Sequence, residues 1–110
     1  MEHYARRGII HFEDNGIEIA NVSHIAEGYD ISLDGYNFEY YVGADVMEMY
    51  ETDDHASYNG KLCGYVVETK TTFYQPFDEP YLRQYLESIG KEKLYLQLYE
   101  ICKLLCGGNV

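Results

Sequence analysis

The stretch that decides the fold is Tyr29–Val42, which reads YDISLDGYNFEYYV. Apolar and polar residues alternate on both sides of Asp34-Gly35, with Ile31 among the apolar positions before it and Phe38 among those after it. A period of two is typical of a strand with one buried and one exposed face. Asp-Gly is preferred in type I′ turns because both central residues need positive φ. The stretch therefore predicts an antiparallel hairpin.

Two further dipeptides of the same kind, Asn15-Gly16 and Asn59-Gly60, predict two more hairpin turns. Residues 10–13 and 17–19 alternate around the first of them. Leu62–Tyr74 is rich in β-branched and aromatic residues, which predicts one long or bent strand.

Helical spacing of Val46, Met49 and Tyr50 predicts a short helix over Gly43–Thr52. After Pro76 the pattern becomes helical for the rest of the chain.

Two C-terminal helices are expected. Asp78 can cap the first, with Pro80 among its early positions and an end near Gly90. The second is expected over Lys91–Cys106, ending at Gly107-Gly108. Its wide apolar face predicts either that it is the main core helix or that it forms a homodimer contact. The face consists of two stripes, the first with Leu94, Leu98, Ile101 and Leu105 and the second with Tyr95, Tyr99, Cys102 and Cys106.

The predicted fold class is α+β, with a meandering antiparallel sheet of about five strands, a short acidic helix and two C-terminal helices on one face. We expect a single domain over residues 1–110. It comprises an acidic hairpin half, residues 8–60, and a mixed-charge half, residues 61–110.

Negative charge is concentrated in the first half of the chain. The formal net charge is -11. No Lys or Arg lies between Gly8 and Gly60, where 12 acidic residues stand. Direct binding to nucleic acid or to an anionic membrane is not expected, because both need Lys and Arg. A charged surface that only keeps the protein soluble is the plain interpretation, although such surfaces usually mix both signs.

The predicted turns place carboxylates opposite one another. Glu13 faces Glu18 across the first hairpin, and Asp30 faces Glu39 across the second. The predicted short helix adds an i, i+3 series of Asp45, Glu48 and Glu51 without a Lys. Like charges in these positions destabilise a fold, which indicates that stability has been traded for a negative surface.

A rigid array of carboxylates can imitate the phosphates of DNA and so occupy a basic groove on a nucleic-acid-binding protein. With 13 Tyr in the chain, interleaved aromatic side chains are available as anchors. The candidate partner-binding acidic face consists of Glu13, Glu18, Asp30, Glu39, Asp45, Glu48, Glu51, Asp53 and Asp54, with Tyr36, Tyr41 and Tyr50 as aromatic anchors.

In size, acidity and lack of a catalytic motif, the chain resembles the small phage-encoded inhibitors of bacterial defence nucleases, the anti-CRISPR and anti-restriction proteins. That resemblance implies a non-enzymatic inhibitor acting in the bacterial cytoplasm, with a basic nuclease or effector as partner. A general acidic interaction or assembly domain would explain the same charge.

An enzymatic alternative lies in Val66–Lys70, which resembles the core signature of PD-(D/E)xK nucleases. In that family an Asp and the Glu hold Mg²⁺, and the Lys orients the attacking water. Glu68 and Lys70 match the signature, and Asp53 or Asp54 precedes them without the expected Pro. The family's further strand and a basic groove for DNA are missing, so two exposed side chains on a strand are the preferred interpretation.

No metal or cofactor is predicted. Residues 30–35 reproduce the opening of a calcium loop, but Tyr41 stands where a bidentate Glu is needed. Cys102 and Cys106 lie one helical turn apart, and zinc would need two more ligands from residues without ligand spacing: His3, His11, His24, His55 and Cys63.

We expect a cytoplasmic protein. The three cysteines show no disulfide framework. The first ten residues lack the apolar run of a secretory signal, and no stretch is long and apolar enough for a membrane span.

Overall fold

The structure, a computed structural model, describes residues 1–53, 57–58, 61–62 and 67–107. It is α+β, with an antiparallel sheet of seven strands and two C-terminal helices. Neither helix of the described chain combines the length and the apolar composition needed to cross a bilayer.

The strands of the main sheet are β1 Glu2–Arg6, β2 Ile9–Asp14, β3 Ile17–Ile25, β4 Gly28–Leu33, β5 Tyr36–Tyr41, β6 Val46–Asp53 and β9 Val67–Tyr74. They lie in the order β1-β2-β3-β4-β5-β6-β9, so each strand pairs with its neighbour in sequence until the last. Two more strands than expected therefore belong to this sheet.

Two predicted hairpins are confirmed by backbone conformation and pairing. Asn15 and Gly16 have φ of 53° and 79°, and Asp34 and Gly35 have φ of 52° and 81°. The strands on either side pair as predicted, β2 with β3 and β4 with β5. A third two-residue turn, at Arg7-Gly8, has φ of 53° and 80° and adds β1 to the sheet.

The predicted helix over Gly43–Thr52 is wrong, because this segment enters the sheet as β6. Met47 and Met49 are fully buried, whereas Glu48 between them points to the other side. The apolar residues therefore satisfy a period of two. As a strand, β6 also pairs with the backbone groups of β5 and β9, which a helix at this position would leave without these partners.

The predicted long strand over Leu62–Tyr74 is divided. Lys61–Leu62 forms β8, which pairs with β7, Ser57–Tyr58, in a separate two-stranded sheet. Tyr58 faces Lys61, as a two-residue connection requires, but Asn59-Gly60 itself lies outside the described residues. The continuous strand is β9, over Val67–Tyr74.

The helices agree closely with expectation. Helix α1 covers Tyr81–Ser88 with Pro80 at its N-cap, and Asp78 makes no side-chain cap. Gly90, with a φ of 74°, follows the end of the helix. Helix α2 covers Glu92–Cys106.

One face of the sheet forms the core with the helices. The buried residues of the helices are Leu82, Leu86, Leu94, Leu98, Ile101, Cys102 and Leu105. They belong to the same buried cluster as strand residues such as Phe12, Ile31 and Phe38. The predicted core stripe of α2 is thus confirmed, whereas Tyr99 and Cys106 of the neighbouring stripe are exposed.

A candidate partner-binding face

The side of the seven-stranded sheet that carries Asp30, Glu39 and Glu48 faces away from the helices; we call it the open face. Side chains alternate across each strand, so residues next to buried positions point to this side. Ile31 and Phe38 are fully buried, whereas the neighbouring Asp30 and Glu39 are only partly buried. The meander brings residues distant in sequence into rows across the open face.

The central row consists of three carboxylates on adjacent strands. Asp30 of β4 pairs with Glu39 of β5, and Glu39 pairs with Glu48 of β6. Neighbouring strands lie about 4.8 Å apart, so this register places three negative charges in line at about that spacing. Ser23 precedes the row on β3 and Thr72 follows it on β9. The row itself contains no basic residue.

Each carboxylate of the row accepts a hydrogen bond from a neutral side chain on the same face. The Asn37 Nδ2 group donates to Asp30 Oδ1 over 3.0 Å and also contacts Ser32 Oγ at 3.2 Å. The hydroxyl group of Tyr41 donates to Glu39 Oε2 over 2.7 Å.

The third donor is the Tyr50 hydroxyl, which lies 2.6 Å from Glu48 Oε2. Hydrogen bonds from neutral donors fix the orientation of a carboxylate but leave its charge in place. The row therefore combines defined geometry with strong negative charge.

The carboxylates alter the acidity of these two tyrosines. The hydrogen bond to Glu39 is the main reason that the pKa of Tyr41 rises to about 12, with burial and the charges of Glu39, Glu48 and Asp30 acting in the same direction. The pKa of Tyr50 is raised as well, first by its hydrogen bond to Glu48. Both phenols therefore remain neutral donors at physiological pH.

Basic side chains on the open face lie toward its edges. Lys70 of β9 has its Nζ atom 3.8 Å from Glu48 Oε2, with half of its side chain exposed. A pair at this distance and exposure compensates little charge. Arg6 lies on β1, at the opposite edge of the sheet from β9.

Glu13 and Glu18 face each other across β2 and β3, as predicted. The sequence does not reveal that His11 Nδ1 contacts Glu18 Oε1. Glu18 therefore has a side-chain partner on the neighbouring strand. A bulge between Phe12 and Glu13 changes the register beyond this pair.

Two other predicted members, Asp45 and Glu51, lie away from the open face. Asp45, in the loop before β6, accepts a hydrogen bond of 2.8 Å from the Tyr40 hydroxyl. Glu51 accepts one from the hydroxyl of Tyr85 on α1. Because these residues lie in a loop and a strand, they do not form the expected helical series with Glu48.

Tyr36, the third proposed anchor, packs against the buried core and contacts Phe38 edge to face. It lies on the helix side of the sheet. The backbone of Asp53 pairs with Val67, but nothing further is described for its side chain, and Asp54 lies outside the described residues.

The nuclease candidates occupy the edge strand β9. Glu68 pairs with Thr52, and Lys70 pairs with Tyr50. Glu68 also contributes to a shallow depression of about 250 Å³ with Asp30, Asn37, Glu39 and Tyr50.

Metal-ligand geometry is not found in the described ranges. No group of three or more His, Cys, Asp or Glu side chains there is arranged to hold an ion. The stretch that resembles a calcium loop is the hairpin of β4 and β5. Cys102 is buried in the core, and burial raises its pKa and that of Cys106. Cys63 and His55 lie outside the described residues.

The helix layer differs from the open face in its charge. Helix α1 carries Arg83 and Glu87, whose side chains lie 4.0 Å apart. Lys91 at the start of α2 binds Asp34, which raises the pKa of the lysine. Acids and bases are thus mixed on this side of the molecule. In the part of the chain that the structure describes, negative charge is therefore concentrated on the open face rather than spread evenly.

Asn37 and Glu68 are two members of this face that sequence reasoning does not identify as parts of an acidic site. The predicted pairing of β4 with β5 already places Asn37 opposite Ser32 and two residues before Glu39. This predicted position is the sequence signal from which Asn37 can be assigned to the open face. Glu68 can be assigned to the open face only when the pairing of β9 with β6 is known. A prediction of β6 as a helix hides that pairing.

Comparison of the chain with models of protein families, with curated proteins and with solved structures gave no match.

Proposed function

We propose that the protein is a non-enzymatic acidic binding protein whose open face occupies a basic, nucleic-acid-binding surface on a partner protein. The observation that carries the proposal is the row of Asp30, Glu39 and Glu48 on three adjacent strands. The row maintains three like charges at close range, and each is oriented by a neutral donor. Such an arrangement works against folding and favours a cationic ligand.

The spacing of the row suits a surface that binds in place of a nucleic-acid backbone. One strand of duplex DNA carries a charge for about every 3.4 Å of helix axis. Charges about 4.8 Å apart across strands form an array of similar density. Arginine and lysine side chains that bind phosphates can therefore bind these carboxylates with the same release of counterions.

Tyr41 and Tyr50 serve this proposal in a second way. Their rings flank Glu39 and Glu48 on the open face, and both side chains are partly buried. Aromatic rings give a binding surface apolar contact area at low entropic cost. Charge then supplies fast association, and the rings supply contact specificity.

The test is competition for a nucleic-acid site. Fluorescently labelled DNA is bound to inactive restriction endonucleases and CRISPR effector nucleases, and its anisotropy is followed as the protein is added. We expect displacement of DNA from at least one nuclease, weakening steeply with salt.

Two charge-matched variants show which surface is responsible. The open-face variant combines Asp30→Asn, Glu39→Gln and Glu48→Gln. The control combines Asp78→Asn, Glu79→Gln and Glu100→Gln, at exposed positions on the helix side. Each removes three negative charges, and only the first is expected to lose displacement. Equal loss in both would assign the effect to net charge.

The general interaction domain predicts a different outcome. An acidic domain that binds a basic protein outside its nucleic-acid site forms a complex in which the labelled DNA remains bound to that protein. A nuclease predicts DNA cleavage with Mg²⁺. Anisotropy, co-migration and cleavage measured on the same samples therefore separate the three functions.

A further inference from the structure

The outer edge of β9 is the longest exposed strand edge that the structure describes. β9 pairs with β6 on one side over eight residue pairs without a register shift. On its other side, no strand of the described chain is hydrogen-bonded to it. The opposite edge of the sheet, β1, has five residues.

The hydrogen bond from the Gln75 amide to the Asp45 carbonyl, 2.8 Å long, sets which backbone groups of β9 point outward. In an antiparallel ladder, hydrogen-bonded and non-hydrogen-bonded pairs alternate. Gln75 lies opposite Asp45 in a hydrogen-bonded pair, so the amides and carbonyls of even-numbered β9 residues point away from β6. These are Glu68, Lys70, Thr72 and Tyr74.

Among the residues that the structure describes, this edge lacks the usual protection against strand pairing. Natural edges are blunted by short strands, bulges, proline or several lysines. β9 has eight residues, one of them Lys, and Pro76 comes only after its end. Its sequence, VETKTTFY, is rich in residues that favour strands.

We propose that β9 pairs antiparallel with β9 of a second copy about a two-fold axis, joining two sheets into one. The outward groups on even-numbered residues allow only registers that oppose even with even. The register with Thr71 opposite Thr71 of the other copy overlaps residues 68–74 fully. Lys70 then lies opposite Thr72, and Glu68 lies opposite Tyr74.

Two neighbouring registers have the same parity. The one that places Thr72 opposite Thr72 pairs only residues 70–74 within the strand. The other is disfavoured by charge. It would place Lys70 directly opposite Lys70 of the other copy, which like-charge repulsion disfavours. The Thr71 register contains no opposed like charges and forms about eight backbone hydrogen bonds. Both open faces then lie on the same side of a continuous sheet.

This inference does not rest on the proposed function, and the two can be distinguished by their dependence on salt concentration. The hydrogen bonds of the paired edge are insensitive to salt, while two copies of net charge -11 repel each other. Dimerisation should therefore strengthen as salt is raised. Binding of a basic partner should weaken under the same change.

The experiment is sedimentation equilibrium of the full chain between about 10 µM and 1 mM. We expect the mass to rise from 12.8 kDa toward twice that value. Thr72→Lys places a lysine opposite Lys70 of the second copy, yet next to Glu48 within its own copy. Thr52→Lys adds the same charge at an exposed position on β6, one strand inside the β9 edge, and serves as control.

Thr72→Lys should weaken the dimer about fivefold relative to Thr52→Lys, from two repulsive pairs. Amide hydrogen exchange supplies a readout that needs no variant. Protection at Glu68, Lys70, Thr72 and Tyr74 should rise with concentration, while Thr69 and Thr71 stay protected throughout. A monomer over the whole range, or protection without this alternation, would overturn the proposal.

Discussion

Glu39 is the centre of the carboxylate row, so its neutralisation measures the cost of the row. Glu39 faces Asp30 on one side and Glu48 on the other. Two charges about 5 Å apart repel by about 0.8 kcal/mol in water, and by about 0.45 kcal/mol at physiological salt. Glu39→Gln removes two such interactions, about 0.9 kcal/mol in total.

The hydrogen bond from Tyr41 opposes this gain. The Glu39 carboxylate accepts it as a charged group, and a glutamine would accept it as a neutral one, at a loss of about 0.5 kcal/mol. Glu39→Gln alone should therefore stabilise the protein by about 0.4 kcal/mol. In a Tyr41→Phe background the opposing contribution is absent, and the same change should stabilise it by about 0.9 kcal/mol.

Urea unfolding of the four proteins in this cycle measures both values. Raising the salt to 1 M shortens the screening length to about 3 Å and should abolish most of the gain. Glu79→Gln, at an exposed position outside the sheet, serves as control with little change. If Glu39→Gln destabilises the Tyr41→Phe protein, or if salt has no effect, the carboxylates do not repel each other as the register requires.

Three further predictions concern packing, titration and chemistry. Gly28→Ala should destabilise the fold by about 3 kcal/mol, since a Cβ atom there would lie 2.0 Å from the Tyr40 carbonyl oxygen; Gly43→Ala, in open space, should change the free energy of unfolding little. The pKa of Tyr41, raised to about 12, favours the folded state at pH values below the unfolded pKa of about 10. This contribution should disappear as the pH rises through about 12, and Tyr41→Phe should reduce that loss in alkaline unfolding curves. Incubation of DNA or RNA with the protein and Mg²⁺ or Mn²⁺ should leave the substrate intact; cleavage abolished by Glu68→Gln and by Lys70→Ala would favour the nuclease.

The hairpins can be predicted because their turns are encoded locally. Asn15-Gly16 and Asp34-Gly35 adopt positive φ, and alternation on both sides fixes the register. The turn dipeptide and the alternation are therefore enough to place Glu39 opposite Asp30. The turn at Arg7-Gly8 has the same backbone conformation, but Arg carries no comparable preference, so the sequence does not reveal β1.

β6 is hard to predict because its apolar residues fit two periods. Val46, Met49 and Tyr50 fit a helix, whereas Met47 and Met49 fit a strand. Only the neighbours on both sides decide between them, and this tertiary information is not local in the sequence. The helical interpretation also places Glu48 on a helix. Glu48 is therefore predicted as a site residue, but its position beside Glu39 in the row is not.

The bulge near Glu13 leaves a trace in the sequence. Ile19 and Ala20 interrupt the alternation of β3, and the shift lets Ala20 and Val22 face the core together with Phe12. The contact between His11 and Glu18 depends on this geometry and on side-chain orientation. Sequence patterns specify faces and pairs, but not which polar side chains meet.

The central claim is that the open face contacts the basic partner. The most direct measurement is the set of backbone amide shifts of the labelled protein on titration with a nuclease whose DNA it displaces. The account predicts the largest changes at Asp30, Asn37, Glu39 and Glu48, with little change along α1 and α2. Changes confined to the helices, with the three carboxylate strands unaffected, would contradict it.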